Sequence, residues 1–250
     1  MQGSSLELEN IKKQWQEFIT RLLVRFGYIK QSPIDLNDIT QLVNSQLPEQ
    51  FKITIPGGDG ELTVKEIDSE ILSQKQWLQI ELMCDFSTSI KKMVLYKTHL
   101  QLILEGSPHF NKVDKTIGLK NVKVSQINLI SDQYSFLKDT SLLISQLVPG
   151  PIKSILSATV ASTMAVLDST IPGSKSVNDV TRYLNLYSKG SKQLVIDYHR
   201  DEIEGKIIQL MEGDSMKYLL DENVFEEKLF AEFGTDIVIE KGQALFVFNR

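Results

Sequence analysis

Apolar positions along this chain change period twice. Near the amino terminus they recur every three or four residues, between residues 50 and 130 they alternate, and beyond that helical spacing returns. Leu8, Ile11, Trp15, Phe18, Ile19, Leu22 and Phe26 form one stripe, with Lys12, Lys13, Glu17, Arg21 and Arg25 mostly off it, so the spacing predicts an amphipathic helix stopped at Gly27. Docking of that stripe on the domain is the expectation, and a membrane surface is the alternative for a face that sets Trp and Phe beside Lys and Arg. Asp35 can cap a second helix, DLNDITQLVNSQL, that ends before Pro48.

Strands follow. FKITI alternates Phe51, Ile53 and Ile55, and the cluster from Pro56 to Gly60 reads as a turn. The next strand begins on Leu62 and Val64 and then slips phase to Ile67 and Ile71, which predicts a bulge or strong bend. WLQIELMCDF and LYKTHLQLILEG alternate strictly, as in a sheet with one buried face. From Leu100 to Val124 the chain reads as strand LQLILEG, turn SPHFNKVDKT and strand IGLKNVKV. The apolar phase then moves from Ile117 and Leu119 to Val122 and Val124, and again to Ile127 and Leu129. A long, bent antiparallel sheet accounts for those shifts.

Two amphipathic helices are expected next, from Tyr134 to Val148 and from Pro151 to Ile171, separated by Pro149, Gly150 and Pro151. VNDVTRYLNLYSKG reads as a further helix, and QLVIDYH and GKIIQLME as strands. Tyr218 to Phe233 reads as a helix stopped by Gly234, and DIVIEKGQALFVF as two short strands around Lys241 and Gly242 or one strand kinked there. The predicted fold class is α+β: a long bent antiparallel sheet wrapped around one or two long helices. The expected organisation is an amphipathic helix over residues 1–31 and a single domain over residues 32–250.

Composition narrows the function. The 250 residues are 42% hydrophobic and 24% charged, ordinary for a chain with a large core, and the net charge of −5 argues against a nucleic-acid binder built on a basic surface. Acids concentrate after Asp197, where solvated faces or an acidic partner-binding surface are the two readings. The single cysteine, Cys84, shares a strand face with Leu78, Ile80, Leu82 and Phe86 and is expected to be a buried small hydrophobe. No apolar window is long enough for a transmembrane helix, and MQGSSLELEN carries no signal-peptide pattern.

Candidate chemistry is sparse. His99, His109 and His199 sit in no ligand spacing; His99 falls on a polar strand face and His109 in the hairpin turn. DYHRDE holds the nearest approach to a metal or acid/base cluster, since a strand would put Asp197, His199 and Asp201 on one face, and a solvated charged edge is the ordinary reading. GGDGE lacks the Lys and Ser/Thr of a phosphate loop, and no GxSxG elbow occurs. No catalytic residue, metal ligand or cofactor is expected.

The order of elements resembles the YceB-like bacterial envelope lipoproteins, a domain family of unknown function. The likeness lies in IDLNDITQLVNSQL before a Gly-rich turn, in YKTHLQLILEGSPHFNKVDKTIGLKNVKV, in the helix pair after it, and in FGTDIVIEKGQALFVF. It spans Ile34 to Phe248. The resemblance implies a curved antiparallel sheet around a long helix, similar to half of a tubular lipid-binding (BPI-like) module, and a place in the cell envelope or periplasm. Two departures stand out: extra sequence from Gly173 to Gly213 with an added amino-terminal helix, and no signal peptide or lipid-attachment cysteine, which leaves a cytoplasmic location open.

The functional expectation is a non-enzymatic binder of a lipid or other apolar small molecule between sheet and helix. The expected lining is Leu78, Ile80, Leu100 and Leu102 on the sheet, opposed by Ile155, Val160, Met164 and Leu167 on the helix. Simple packing of these residues into a sealed core is the other outcome. The alternative function is an interaction or scaffold protein that presents residues 6–26 or the acidic carboxy-terminal third to a membrane surface or a protein partner.

Overall fold

A computed structural model describes residues 3–71, 77–90, 93–134 and 192–248, together with residues 179, 182, 183 and 186. The chain opens with α1 (Gly3–Arg25), β1 (Gln31–Pro33) and α2 (Leu36–Asn44). Gly27, at a φ of +75°, closes α1 by letting its own N–H and that of Tyr28 bond back to the Val24 and Leu23 carbonyls. Asp35 caps α2 as expected, accepting a hydrogen bond from the Asn37 N–H at 2.9 Å.

The alternating segments become β2 (Glu49–Ile55), β3 (Gly58–Ile71), β4 (Leu78–Ile90), β5 (Met93–Asn111) and β6 (Thr116–Tyr134). With the two-residue β7 (Tyr218–Leu219) they form a six-stranded antiparallel sheet in sequential order. Both hairpin turns are tighter than expected. Only Pro56 and Gly57 separate β2 from β3, and only residues 112–115 separate β5 from β6. His109 is therefore an exposed strand residue opposite Gly118, not part of a turn.

The phase slips are bulges. Lys65 is the extra residue of β3 between Val64 and Glu66. On β6 the pairing with β5 shifts three times, leaving two residues, Asn121 and Val122, opposite Gly106 and leaving Ser125 and Ile130 unpaired. Each bulge bends and twists the strand that carries it. The buried face stays continuous across them: Leu62, Val64, Leu82, Cys84, Phe86, Tyr96, Leu100, Leu102 and Leu104 are nearly or wholly inaccessible.

A 20-residue helix, α3 (Lys192–Met211), packs on that face. This corrects the reading of QLVIDYH and GKIIQLME as strands. Val195, Ile196, His199, Ile203, Ile207, Leu210 and Met211 are all buried and recur at one, three and four residues, the period of one helix face running straight through DYHRDE. Carboxylates pin the helix at two points. Glu202 accepts the Thr54 N–H and hydroxyl of edge strand β2 at 2.9–3.0 Å, and Glu212, just past the helix end, accepts the Val122 N–H at the β6 bulge at 2.9 Å.

A second core lies beyond the tip of β5 and β6. The expected helix from Tyr218 to Phe233 is instead β7, a turn and a shorter helix, α4 (Phe225–Phe233), whose Glu227 holds the turn by accepting the Tyr218 hydroxyl and the Asp221 N–H. The chain ends in β8 (Gly234–Glu240) and β9 (Gln243–Phe248), a hairpin through Lys241 and Gly242, both at positive φ. β9 also pairs with β1, making a three-stranded sheet in the order β1-β9-β8. Phe230 stacks on Phe246 with ring centroids 3.9 Å apart and lies 4.4 Å from Phe110. α2 joins the large sheet through Asn44, whose side-chain amide donates to the Ile67 carbonyl at 2.7 Å and accepts the Ile67 N–H at 2.8 Å.

Most of the described apolar stripe of α1 does not dock. Ile11, Trp15, Phe18, Ile19 and Phe26 are exposed and Leu22 is half-buried, whereas Val24 on the opposite side is 1% exposed and belongs to the second core. Arg21 adds an ion pair to Glu232 of α4 at 3.0 Å. The expected helices Tyr134–Val148 and Pro151–Ile171 lie outside the described residues, Tyr134 aside; of VNDVTRYLNLYSKG, residues 179, 182, 183 and 186 are described and helical.

Gly234 ends α4 as expected, but through space, not through a left-handed backbone: its φ is −64°, and a Cβ there would lie 2.3 Å from the Phe230 ring. Gly234→Ala should therefore destabilise the fold by about 1–3 kcal/mol through forced displacement of Phe230. Urea unfolding measures this, and an unchanged midpoint would show that the aromatic core yields freely.

Candidate apolar-ligand site

A cavity of about 80 Å³ lies at the seam between the two cores. The large sheet supplies Ile67, Leu78 and Ile80 on one side and Pro108, Ile117 and Leu119 from the β5–β6 tip on the other. α2 closes it with Leu36, Thr40 and Val43. Met211 and Met216, at and just beyond the end of α3, and Ile237 and Ala244 of the small sheet complete the wall. Each wall follows from local sequence. Alternation directs Leu78 and Ile80 to the same face, the bulge at Lys65 restores Ile67 to that face, and the capped turn of α2 presents Leu36, Thr40 and Val43 at helical spacing.

Of the expected lining, Leu78 and Ile80 reach this cavity. Leu100 and Leu102 share the buried face but are sealed in the main core, opposite Cys84 and Leu82. Ile155, Val160, Met164 and Leu167 lie outside the described residues. The walls from α2, the β5–β6 tip and the small sheet were not foreseen, because they come from segments distant in sequence that only the packing of the second core brings together. A larger depression of about 440 Å³ beside the β2–β3 hairpin is lined by Lys52, Thr54, Asp59, Glu61, Ser87 and Ser89 as well as Ile53 and Ile55, a mixed surface without an apolar wall.

The polar candidates separate. Asp197 and Asp201 are exposed on α3, whereas His199 is 2% exposed and turned into the core, so the helix parts the three residues that a strand would have aligned. His199 Nε2 shares a hydrogen bond with the Tyr183 hydroxyl at 2.8 Å and packs 5.4 Å from the Phe86 ring. Burial pushes its imidazole down to about 4, against a smaller upward pull from Glu202, so it is neutral at pH 7. Burial, with the charge of Asp85 adding to it, raises the Cys84 thiol to about 12, which leaves no thiolate for nucleophilic chemistry.

On the outer face of the sheet His99, Asp85 and Lys65 form a chain of contacts, with Lys65 2.6 Å from Asp85. Partial burial pushes the Asp85 carboxyl up, but the hydrogen bonds from Lys65 and His99 outweigh it and hold the group below its usual range. Among the described residues no group of three or more His, Cys, Asp and Glu side chains could hold a metal ion, and no helix is long and apolar enough to cross a membrane. Comparison with protein-family models and with curated proteins finds no match to the chain.

The buried His199 gives a pH dependence with a definite sign. The unfolded chain takes up this proton near pH 6.5 and the folded chain only near 4, so the unfolded state holds more protons between the two and stability falls as pH drops through that window. Urea melts from pH 7 to 4 should show the decline, and His199→Gln should flatten it. An equally steep slope in the variant would assign the titration to other groups.

Proposed function

We propose that this chain is a non-enzymatic binder of an aliphatic ligand, taken up at the seam between the two cores. The cavity carries this reading. Protein interiors close to the density of organic crystals, so a space walled by Ile, Leu, Val, Met and Ala from several elements is the exception. Aliphatic walls leave water without partners, and cavities of this kind stay dry and accept apolar guests. A volume of about 80 Å³ suits the end of an acyl chain better than a whole lipid, with the remainder of the molecule lying outside. The lining has no aromatic ring and only Thr40 as a polar side chain, which favours a flexible hydrocarbon over a planar, hydrogen-bonding ligand.

The resemblance to YceB-like envelope lipoproteins supports the same reading and extends it to the bacterial envelope. That resemblance implies half of a tubular lipid-binding module, and an antiparallel sheet carrying a helix on its buried face is compatible with it. Presentation of the acidic carboxy-terminal third to a partner has less support, because many of those acids have internal work: Glu202 and Glu212 hold α3 to the sheet, Glu227 organises the turn before α4, and Asp214, Glu222 and Glu232 pair with Lys217, Lys115 and Arg21.

Native mass spectrometry of the protein purified from its host under mild conditions tests the proposal. A retained lipid-sized mass is expected, and Ala244→Phe, which fills the cavity, should remove it. Leu102→Met, a near-isosteric change in the sealed part of the core, should keep it. A clean apo mass for the parent chain would sink the idea.

A further inference from the structure

The exposed face of α1 goes beyond the ligand cavity. We infer that it is an interfacial anchor that lays the protein on an anionic lipid bilayer. A rotation of about 100° per residue gathers Phe18, Ile11, Leu22, Trp15 and Phe26 within an arc of roughly 80°. Lys12 lies on one border of that arc and Arg25 on the other. The helix is attached from behind, where Val24 enters the second core and Arg21 pairs with Glu232. Its aromatic face is thus held outward by contacts made on the other side: Trp15 is 60% exposed, Phe18 55% and Phe26 70%, and Tyr28 continues the exposed edge beyond Gly27.

The occupant follows from charge. From Gly3 to Lys30 the five bases Lys12, Lys13, Arg21, Arg25 and Lys30 outnumber the three acids Glu7, Glu9 and Glu17, and after residue 10 only Glu17 opposes them, in a chain whose net charge is −5. Arg21 is occupied by Glu232, while Lys12, Lys13, Arg25 and Lys30 make no ion pair among the described residues. Anionic headgroups complement the borders, and aromatic rings on an apolar face are the residues that settle at the headgroup level.

The test uses the full chain with Trp77→Phe, so that Trp15 is the only tryptophan. Vesicles of phosphatidylcholine with phosphatidylserine should sediment the protein and shift Trp15 emission to the blue, vesicles of phosphatidylcholine alone should bind it far less, and added salt should weaken binding. Lys12→Gln with Arg25→Gln should lower the affinity roughly thirtyfold. Trp15→Ser with Phe18→Ser should abolish binding. All four positions are on the solvent face, so circular dichroism and the thermal midpoint should stay unchanged. Absence of binding, binding indifferent to lipid charge, or a concentration-dependent dimer lost in the Trp15/Phe18 variant would overturn the inference, the last by giving the face to a second copy. Ala244→Phe should bind vesicles as the parent does. Loss of vesicle binding in that variant would move the lipid contact to the cavity and also overturn the inference, so the two readings fail separately.

Discussion

The rest of the fold depends on a mismatch in residue number between the paired stretches of two neighbouring strands. Residues Tyr96–Asn111 of β5 are paired against Thr116–Tyr134 of β6, and β6 accommodates its surplus in three bulges. A ladder with extra residues on one strand cannot remain flat, and each bulge frees backbone groups that need new partners. The structure supplies them locally. The Ser125 hydroxyl donates to the Ile103 carbonyl, and the Val122 N–H is taken by Glu212. The second of these bonds ties the bend to the helix that covers it. With Glu202 on β2 at the other edge, it fixes where α3 crosses the sheet and therefore which side chains meet in the core.

Two cores of different character meet at the end of that helix. The larger is mostly aliphatic and interdigitates along the bent sheet, while the smaller is organised by Phe110, Phe230, Phe246 and Phe248, whose planar contacts restrict how the small sheet can approach. The junction is lined by Met, Ile, Leu and Ala, which fill space without directional demands. A gap there costs no unsatisfied hydrogen bond. Its position between two bodies of packing also separates it from the sealed leucines at the middle of the sheet.

Strand alternation, the bulges and the caps were readable from sequence because each is written within a few residues. Val64 and Ile67 record a phase slip, Asp35 precedes its helix, and Cys84 alternates with Leu82 and Phe86. α3 was misread because its apolar face includes a histidine and is flanked by charges, so short apolar runs on either side of DYHRDE looked like separate strands. Spacing through His199 held the correct signal. The exposure of α1 was not readable at all. An amphipathic stripe specifies that a face is apolar and leaves open what covers it, and here Val24, with the Arg21–Glu232 pair, decides the attachment among the described residues. The cavity was half legible, since Leu78 and Ile80 follow from alternation while the opposing walls depend on long-range packing.

The Asn44 amide has a consequence for how the sheet ends. β2 pairs with β3 only as far as Val64, so from Glu66 onward that side of β3 has no neighbouring strand among the described residues. By both donating to and accepting from Ile67, one side chain reproduces the hydrogen bonding of a single strand residue and occupies the position where a foreign strand would begin to add. An aspartate in its place would keep the acceptor and lose the donor, leaving the Ile67 carbonyl open. A single neutral amide thus guards this edge against intermolecular sheet growth.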